Sequence, residues 1–100
     1  MKEVTVQELK RMMDSGEDFQ LIDVREPAEY EESNIGGTLI PLGDVIERMA
    51  EFSKDKKVVV HCRSGMRSAT AINALIAEGG FDNLYNLKGG ILAYANEIGL

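Results

Sequence analysis

The sequence lacks the residues that build disulfides and metal centres, since it contains one cysteine, Cys62, and one histidine, His61. A single cysteine excludes an internal disulfide and a cysteine-based structural zinc site, because each of these needs further thiols. We therefore expect no bound metal. Cys62 is then either an inert buried side chain or a reactive group, and its neighbours in the sequence decide between these interpretations.

Long apolar runs and an excess of basic residues are also lacking. The longest apolar candidate lies around Val58–Val60, far short of the ~20 residues of a membrane helix, so we expect no membrane association. Seventeen acidic and eleven basic residues give a net charge of −6, which argues against nucleic-acid binding because that requires a basic face. The first residues, Met1–Thr5, contain no apolar signal-peptide segment, and we expect a cytoplasmic protein.

The length of 100 residues favours one domain over residues 1–100, because two cores would each be too small. Five short β-like runs alternate with helical stretches. This order predicts a three-layer α/β domain, with a central, mostly parallel five-stranded sheet flanked by helices. We expect the domain to be a monomer. The clearest predicted strands are Phe19–Val24, Thr38–Ile40, Val58–Cys62 and Leu84–Leu87.

Local signals predict the helices between these strands. Thr5 and Glu8 have the spacing of a capping box, and Pro27 suits the first turn of a short helix. A helix capped by Asp44 is predicted to bury Val45, Ile46, Met49 and Phe52. The remaining helices are predicted over Ala69–Ala77, with Ala71, Ile72, Leu75 and Ile76 on the apolar side, and over Ile91–Ile98.

Cys62 ends the strongest predicted strand. Three successive β-branched residues, Val58–Val60, indicate a strand that is covered on both faces, as in a parallel sheet. In open α/β sheets the functional site lies beyond the carboxyl ends of the strands. Cys62 therefore lies at the edge where a site is expected. His61 should point to the opposite face of the sheet, which favours a structural, hydrogen-bonded histidine over a catalytic base.

The residues after Cys62 predict an anion-binding loop, Cys62–Arg67. A tight loop between a strand and a helix turns backbone N–H groups inward, and the helix N-terminus adds to their positive potential. Gly65 permits the positive φ that such a loop needs, and Arg63 and Arg67 supply two positive charges. A thiol in this setting should ionise more readily than a free one, which favours a nucleophilic role for Cys62.

At these residues the sequence resembles the rhodanese-like sulfurtransferase family, over essentially the whole chain. Four segments carry the resemblance in the expected order: Leu21–Pro27 followed by Glu29 and Tyr30, Ile35–Gly37 leading to Ile40–Leu42, the loop Cys62–Ser68, and Leu87–Gly90 with Tyr94. Two of these segments depart from the family pattern. Asn34–Gly37 stands where the family commonly has His-Ile-Pro-Gly, and Tyr94 stands where it commonly has tryptophan. The Asn-Ile-Gly-Gly form is also similar to rhodanese domains appended to adenylyltransferases that pass sulfur to carrier proteins.

The resemblance implies a two-step sulfur transfer without a cofactor. The Cys62 thiolate would take the outer sulfur of a small anionic donor such as thiosulfate, and a thiol, cyanide or a sulfur-carrier protein would remove it from the Cys62 persulfide. The loop residues would bind the donor: Arg63, Ser64, Gly65, Met66, Arg67 and Ser68. For the supporting residues Asp23 and Arg25 an ion pair that ties loops together is favoured over substrate contact. Arg67 could likewise be paired, with Asp23 or Glu26.

Three other functions remain as alternatives. A cysteine phosphatase of related fold needs five residues between the cysteine and the arginine, whereas four separate Cys62 from Arg67, and Ser68 occupies the phosphatase position. A sulfur-relay or binding module for a protein partner is the second alternative. A redox-sensing thiol is disfavoured because the chain has no resolving cysteine.

Overall fold

Five parallel strands form one sheet in the computed structural model of the protein, which describes residues 1–100. The strands are β1 (Glu3–Val4), β2 (Gln20–Asp23), β3 (Thr38–Leu39), β4 (Val58–His61) and β5 (Leu84–Leu87), in the spatial order β1-β5-β4-β2-β3. Every neighbouring pair is parallel. The predicted α/β architecture is confirmed, with the strand that precedes Cys62 at the centre of the sheet.

Four helices cover the two faces of the sheet. They are α1 (Val6–Asp14), α2 (Pro27–Glu32), α3 (Met66–Gly79) and α4 (Gly90–Glu97). The predicted capping box is present at α1, where Thr5 Oγ1 accepts from the Glu8 N–H at 3.1 Å and the Glu8 carboxylate accepts from the Thr5 N–H at 3.0 Å. None of the helices is long and apolar enough to cross a membrane.

Two hydrophobic clusters lie on opposite faces of the sheet, and the central strand β4 contributes to both. Val58 and Val60 pack with α3, whereas Val59 packs with α1 and α4. All four residues of β4 are buried, which explains why its sequence shows no polar alternation. Cys62 belongs to the α3-side cluster, so the packing of this face fixes where its side chain lies.

The prediction of a helix capped by Asp44 is wrong. The segment instead forms two short 3-10 turns, Leu42–Asp44 and Met49–Glu51. Val45 and Phe52 are buried as expected, but Ile46 is 40% exposed. Two buried anchors seven residues apart hold this segment against the sheet, so burial does not require a continuous helix between them.

The helix after the Cys62 loop differs from its prediction in two ways. It begins at Met66 rather than Ala69, so its first turn forms part of the loop itself. Ile76 is 48% exposed rather than buried, while Ala71, Ile72 and Leu75 face the core as predicted. The strand β1 is too short to give a pattern in the sequence, and it is defined by its pairing with β5.

Candidate active site

Cys62 is the first residue after β4, and its sulfur lies at the N-terminus of α3. The residue is 1% exposed. The Gly65 N–H donates to Sγ at 3.1 Å, the Ser68 N–H donates at 3.4 Å, and the Ser68 hydroxyl lies 3.4 Å away. Burial by itself raises the pKa of the Cys62 thiol. The hydrogen-bonding contacts of the sulfur with Ser68, Gly65 and Ser64 outweigh it and lower that pKa. The site therefore favours a thiolate.

Gly65 gives the loop its curvature. Its φ is +110°, in the left-handed region, and it stands as the N-cap of α3. A residue with a Cβ atom is strained in this conformation, whereas glycine is not. The first-turn amides of a helix have no partners inside the helix, and here the Ser68 amide is directed at the cysteine sulfur.

The start of α4 supports the loop from the opposite side. The N–H groups of Ile91 and Leu92 donate to the carbonyls of Cys62 and Arg63, at 3.0 and 3.1 Å. The backbones approach so closely that a Cβ at Gly90 would lie 2.4 Å from the Arg63 carbonyl oxygen. The loop carbonyls thus bond outward to α4, which leaves the loop N–H groups free to face the sulfur.

Arg67 is paired with Glu29 of α2, so the expected partners Asp23 and Glu26 are wrong. The pair is bidentate, with Arg67 Nη1 and Nη2 donating to the two carboxylate oxygens at 2.7 and 2.9 Å. The Arg67 guanidinium, together with the Glu26 N–H, lowers the pKa of Glu29 to about 2. Arg67 therefore ties the loop to α2, and its charge is partly compensated.

Arg63 has no carboxylate partner and is exposed. It borders a cavity of about 210 Å³ between the loop, α2 and α4, which is also lined by Arg25, Glu29 and Leu92. Because Arg67 is neutralised by Glu29, Arg63 is the loop residue with an uncompensated positive charge. Met66 is 78% exposed beside it, and Ser64 is exposed as well.

Asp23 and Arg25 form a buried ion pair behind the loop. Arg25 Nε donates to both carboxylate oxygens at 3.0 and 3.1 Å, and Nη2 donates to one of them at 2.8 Å. A further donation reaches the Ser33 carbonyl at 2.8 Å, at the end of α2. The predicted link between loops is therefore present, since the pair joins the end of β2 to the end of α2.

His61 is fully buried on the face of the sheet opposite Cys62, as its position in the strand predicts. Its Nδ1 lies 3.3 Å from the Cys62 carbonyl oxygen, and its Nε2 lies 3.6 Å from Asp23 Oδ2. Burial lowers the pKa of His61 despite the nearby carboxylate, so the imidazole is neutral at pH 7. It is not directed at the cysteine sulfur.

Residues 5–97 match the rhodanese-like domain family. The chain belongs to the rhodanese-like family. A sulfurtransferase of Allochromatium vinosum is 38% identical over 96 residues, which cover 95% of this chain and 89% of that protein. The Mycobacterium tuberculosis protein named "Probable adenylyltransferase/sulfurtransferase MoeZ" is 39% identical over 98 residues, and this chain spans 25% of its length. The crystal structure of a rhodanese-like domain protein from Staphylococcus aureus has a TM-score of 0.87 at 29% identity, and covers 98% of this chain and 95% of the other. Both of these sequence relatives carry the word sulfurtransferase in their names.

The two departures from the rhodanese-like pattern occupy structural positions. Asn34 bridges the turn after α2, because its Oδ1 accepts from the Gly36 N–H at 2.9 Å and its Nδ2 donates to the Tyr30 carbonyl at 3.1 Å. Tyr94 is 6% exposed and packs in the cluster under α1 and α4. Neither side chain hydrogen-bonds to the loop, so both departures leave the loop intact.

Asn86 is a residue of the rhodanese-like site that the sequence analysis missed. It lies in β5, is 6% exposed, and hydrogen-bonds to Ser68 and Gly65 of the loop. The available signal was a carboxamide at an inward position of an otherwise apolar strand, because a buried polar side chain needs partners. Glu29 was noticed only as part of a motif, and nothing local in the sequence indicated its pairing with Arg67. No group of three or more histidine, cysteine, aspartate or glutamate side chains could hold a metal ion.

Proposed function

We propose that the protein is a thiosulfate sulfurtransferase that works through a persulfide on Cys62. The observation that carries the proposal is the position of the Cys62 sulfur at the N-terminus of α3. There it accepts hydrogen bonds from the N–H groups of Gly65 and Ser68. These donors favour the thiolate that a nucleophilic cysteine needs. Arg63 adds an uncompensated positive charge in a protein of net charge −6, at the place where an anionic donor would arrive.

In the first step the Cys62 thiolate attacks the outer sulfur of thiosulfate. A sulfur–sulfur bond forms to Cys62, the bond between the two thiosulfate sulfurs breaks, and its electron pair leaves with sulfite. The outer sulfur keeps the negative charge that it carries in thiosulfate and becomes the terminal sulfur of the persulfide, while sulfite leaves as a dianion, so charge and electrons balance. The loop N–H groups stabilise that terminal charge as they stabilise the thiolate.

In the second step a nucleophilic acceptor attacks the terminal sulfur and Cys62 leaves as a thiolate. Cyanide would give thiocyanate, and a thiolate would give its own persulfide. A lowered Cys62 pKa helps this step as well, because a more stable thiolate is a better leaving group. A sulfur-carrier protein is a further proposed acceptor, supported by the similarity to a protein named as an adenylyltransferase/sulfurtransferase.

We propose further that residues 1–100 act as one domain, as a monomer, in the cytoplasm. Both hydrophobic clusters share one sheet, which supports a single folding unit. A reducing compartment would keep the Cys62 thiol free for reaction.

Mass spectrometry of the intact protein tests the persulfide directly. Incubation with thiosulfate should add about 32 Da, one sulfur atom, and cyanide should remove it with release of thiocyanate. Cys62→Ser should show no adduct, while Thr70→Ala, which removes an exposed hydroxyl from α3 outside the loop, should still be loaded. An adduct that survives Cys62→Ser, or the absence of turnover with thiosulfate, would overturn the proposal.

A further inference from the structure

Both hydrogen-bonding groups of the Asn86 side chain bond to residues of the Cys62 loop. Its Nδ2 donates to the Gly65 carbonyl at 3.0 Å, and its Oδ1 accepts from the Ser68 hydroxyl at 2.6 Å. The residue lies in β5, outside the loop, and its side chain makes no hydrogen bond to the sulfur itself. The N–H groups of Gly65 and Ser68 donate to the sulfur, so one carboxamide holds two of the residues that bind it.

The bonding directions follow from the chemistry of the groups. A carbonyl oxygen cannot donate, so the Asn86 amino group must face Gly65 and the amide oxygen must face Ser68. The amide oxygen has no proton either, so Ser68 must be the donor in its 2.6 Å contact with Asn86. A serine hydroxyl carries one proton, and this proton is directed at Asn86. At 3.4 Å the Ser68 oxygen then presents lone pairs to the Cys62 sulfur.

We propose that Asn86 is a positioning residue that competes with the Cys62 thiolate for the hydroxyl proton of Ser68. A protonated thiol is satisfied by this arrangement, because S–H donates to the Ser68 oxygen while the hydroxyl donates to Asn86. A thiolate has no proton to donate. It gains a hydrogen bond from the Ser68 hydroxyl only if that proton turns toward the sulfur and away from Asn86. Asn86 therefore limits how strongly Ser68 stabilises the thiolate. The inference rests on the proposed function, since it concerns the same sulfur.

Other charged or titratable groups around Cys62 come from α2, α3, β4, the end of β2 and the loop itself. Arg67 of α3 is paired with Glu29 of α2, and Arg63 lies in the loop. His61 of β4 lies beneath the Cys62 carbonyl, with the Asp23–Arg25 pair beyond it. None of these groups hydrogen-bonds to Asn86, so a substitution at Asn86 reports on Ser68 and Gly65.

A double-mutant cycle on the Cys62 pKa tests the proposal. The pKa is measured from the pH dependence of alkylation by iodoacetamide in the unaltered protein, Asn86→Leu, Ser68→Ala and the double variant. Asn86→Leu removes the Gly65 hydrogen bond in both backgrounds, but it releases the Ser68 proton only where Ser68 is present. The change in the Cys62 pKa that Asn86→Leu causes should therefore be about 0.5–1 pKa unit more negative in the protein that retains Ser68 than in the Ser68→Ala background.

An equal shift in both backgrounds, or a more positive one with Ser68, would overturn the proposal. Asn86→Ala gives a second test if Asn86→Leu does not fold. It also releases the Ser68 proton only where Ser68 is present, so the same difference between the two backgrounds is expected, and the absence of that difference would contradict the proposal. Alkylation needs no sulfur donor. If thiosulfate loading fails while the predicted pKa shifts are observed, only the proposed function is overturned. If loading succeeds while the predicted pKa shifts are absent, only the role of Asn86 is overturned.

Discussion

At the residue scale, the two loop arginines carry the same charge but have different partners. Arg67 is held in a bidentate pair with Glu29, whereas Arg63 has no carboxylate partner. The two side chains therefore contribute to different properties. Arg67 connects two elements of the fold, and Arg63 is available to an anion that approaches the site.

Replacing Arg63 with alanine should raise the Michaelis constant for thiosulfate and leave the melting temperature unchanged. The lost charge-assisted contact should cost about 1–3 kcal/mol of binding. Steady-state kinetics and thermal unfolding of Arg63→Ala measure the two quantities. Arg63→Lys is the matched control, because it keeps the charge and should recover part of the binding. An unchanged Michaelis constant in Arg63→Ala would mean that the backbone amides hold the anion by themselves.

The Arg67–Glu29 pair should make stability depend on pH in acid. The folded protein lowers the pKa of Glu29 from its ordinary 4.5 to about 2, so the folded state favours the carboxylate form. This stabilisation is complete above pH 4.5 and is lost as the pH falls toward 2. At neutral pH, Arg67→Ala should cost about 1 kcal/mol of the free energy of unfolding, since the pair is partly exposed.

Denaturant unfolding at several pH values measures this contribution. Arg67→Ala and Glu29→Gln should both lose the part of the acid dependence that falls between pH 4.5 and 2, where Glu29 titrates in the unaltered protein. If both variants keep the full acid dependence, other carboxylates are responsible for it.

The sequence predicted the position and chemistry of Cys62 but not all of its neighbours. The loop residues follow one another in the chain, so their joint geometry could be inferred from a strand, a glycine and a helix start. Glu29 lies 38 residues from Arg67, and Asn86 lies 18 residues from Ser68. These contacts depend on how α2 and β5 are placed beside the loop. Local sequence patterns carry no information about that placement.

At the scale of elements, the fit between the loop and α4 is set by the absence of a side chain at Gly90. A Cβ there would meet the carbonyls of Arg63 and Cys62 at 2.4 and 2.7 Å. The same backbone contact gives the loop carbonyls their hydrogen-bond donors. The position of the cysteine sulfur therefore depends on a residue in a different helix.

Gly90→Ala should lower both stability and the rate of persulfide formation. Gly80→Ala is a matched control, because Gly80 has a similar φ of +66° but open space around a new Cβ. The control should lose about 1–2 kcal/mol of the free energy of unfolding from backbone strain alone and keep normal sulfur loading. Gly90→Ala should lose more and load slowly. Equal behaviour of the two variants in unfolding and loading measurements would show that the close approach of α4 does not position the loop.

The length of the loop should exclude phosphatase activity. Four residues separate Cys62 from Arg67, one fewer than a phosphatase site needs, so the amides cannot surround the three oxygens of a phosphate. Assays with aryl phosphates should show no hydrolysis above buffer, and one residue inserted between Met66 and Arg67 should improve binding of phosphate-like anions. Measurable phosphatase activity in the unaltered protein would refute the argument from loop length.

Four of the five strands and most helices followed from local patterns, and the exceptions have physical causes. The apolar residues after Asp44 have helical spacing, but two short turns are enough to bury Val45 and Phe52 against the sheet. Ile76 lies on the apolar side of α3 by spacing, yet it is 48% exposed and borders a surface cavity together with Ile72 and Phe81. Tertiary packing, rather than periodicity, decides both cases.

At the scale of the whole molecule, the overall charge opposes the charge of the site. The protein carries −6 and so repels an anionic donor at long range, while Arg63 attracts it at short range. Salt should screen the attraction to Arg63 and raise the Michaelis constant of the unaltered protein for thiosulfate. Arg63→Ala, with a charge of −7 (−6 minus one positive charge), retains mainly the repulsion, so salt should leave its Michaelis constant unchanged or lower it. Kinetics at two ionic strengths distinguish the proteins, and parallel salt responses would argue against a local attraction by Arg63.

The all-parallel sheet also has a consequence for biosynthesis. The strand β1 at the start of the chain pairs with β5, 83 residues later, and β5 is the strand that joins β1 to β4. Every strand pairing is non-local, which slows folding because long loops must close before contacts form. During translation, β1 has no partner until β5 has left the ribosome. The strand β1 therefore stays unpaired while the residues between it and β5 are synthesised.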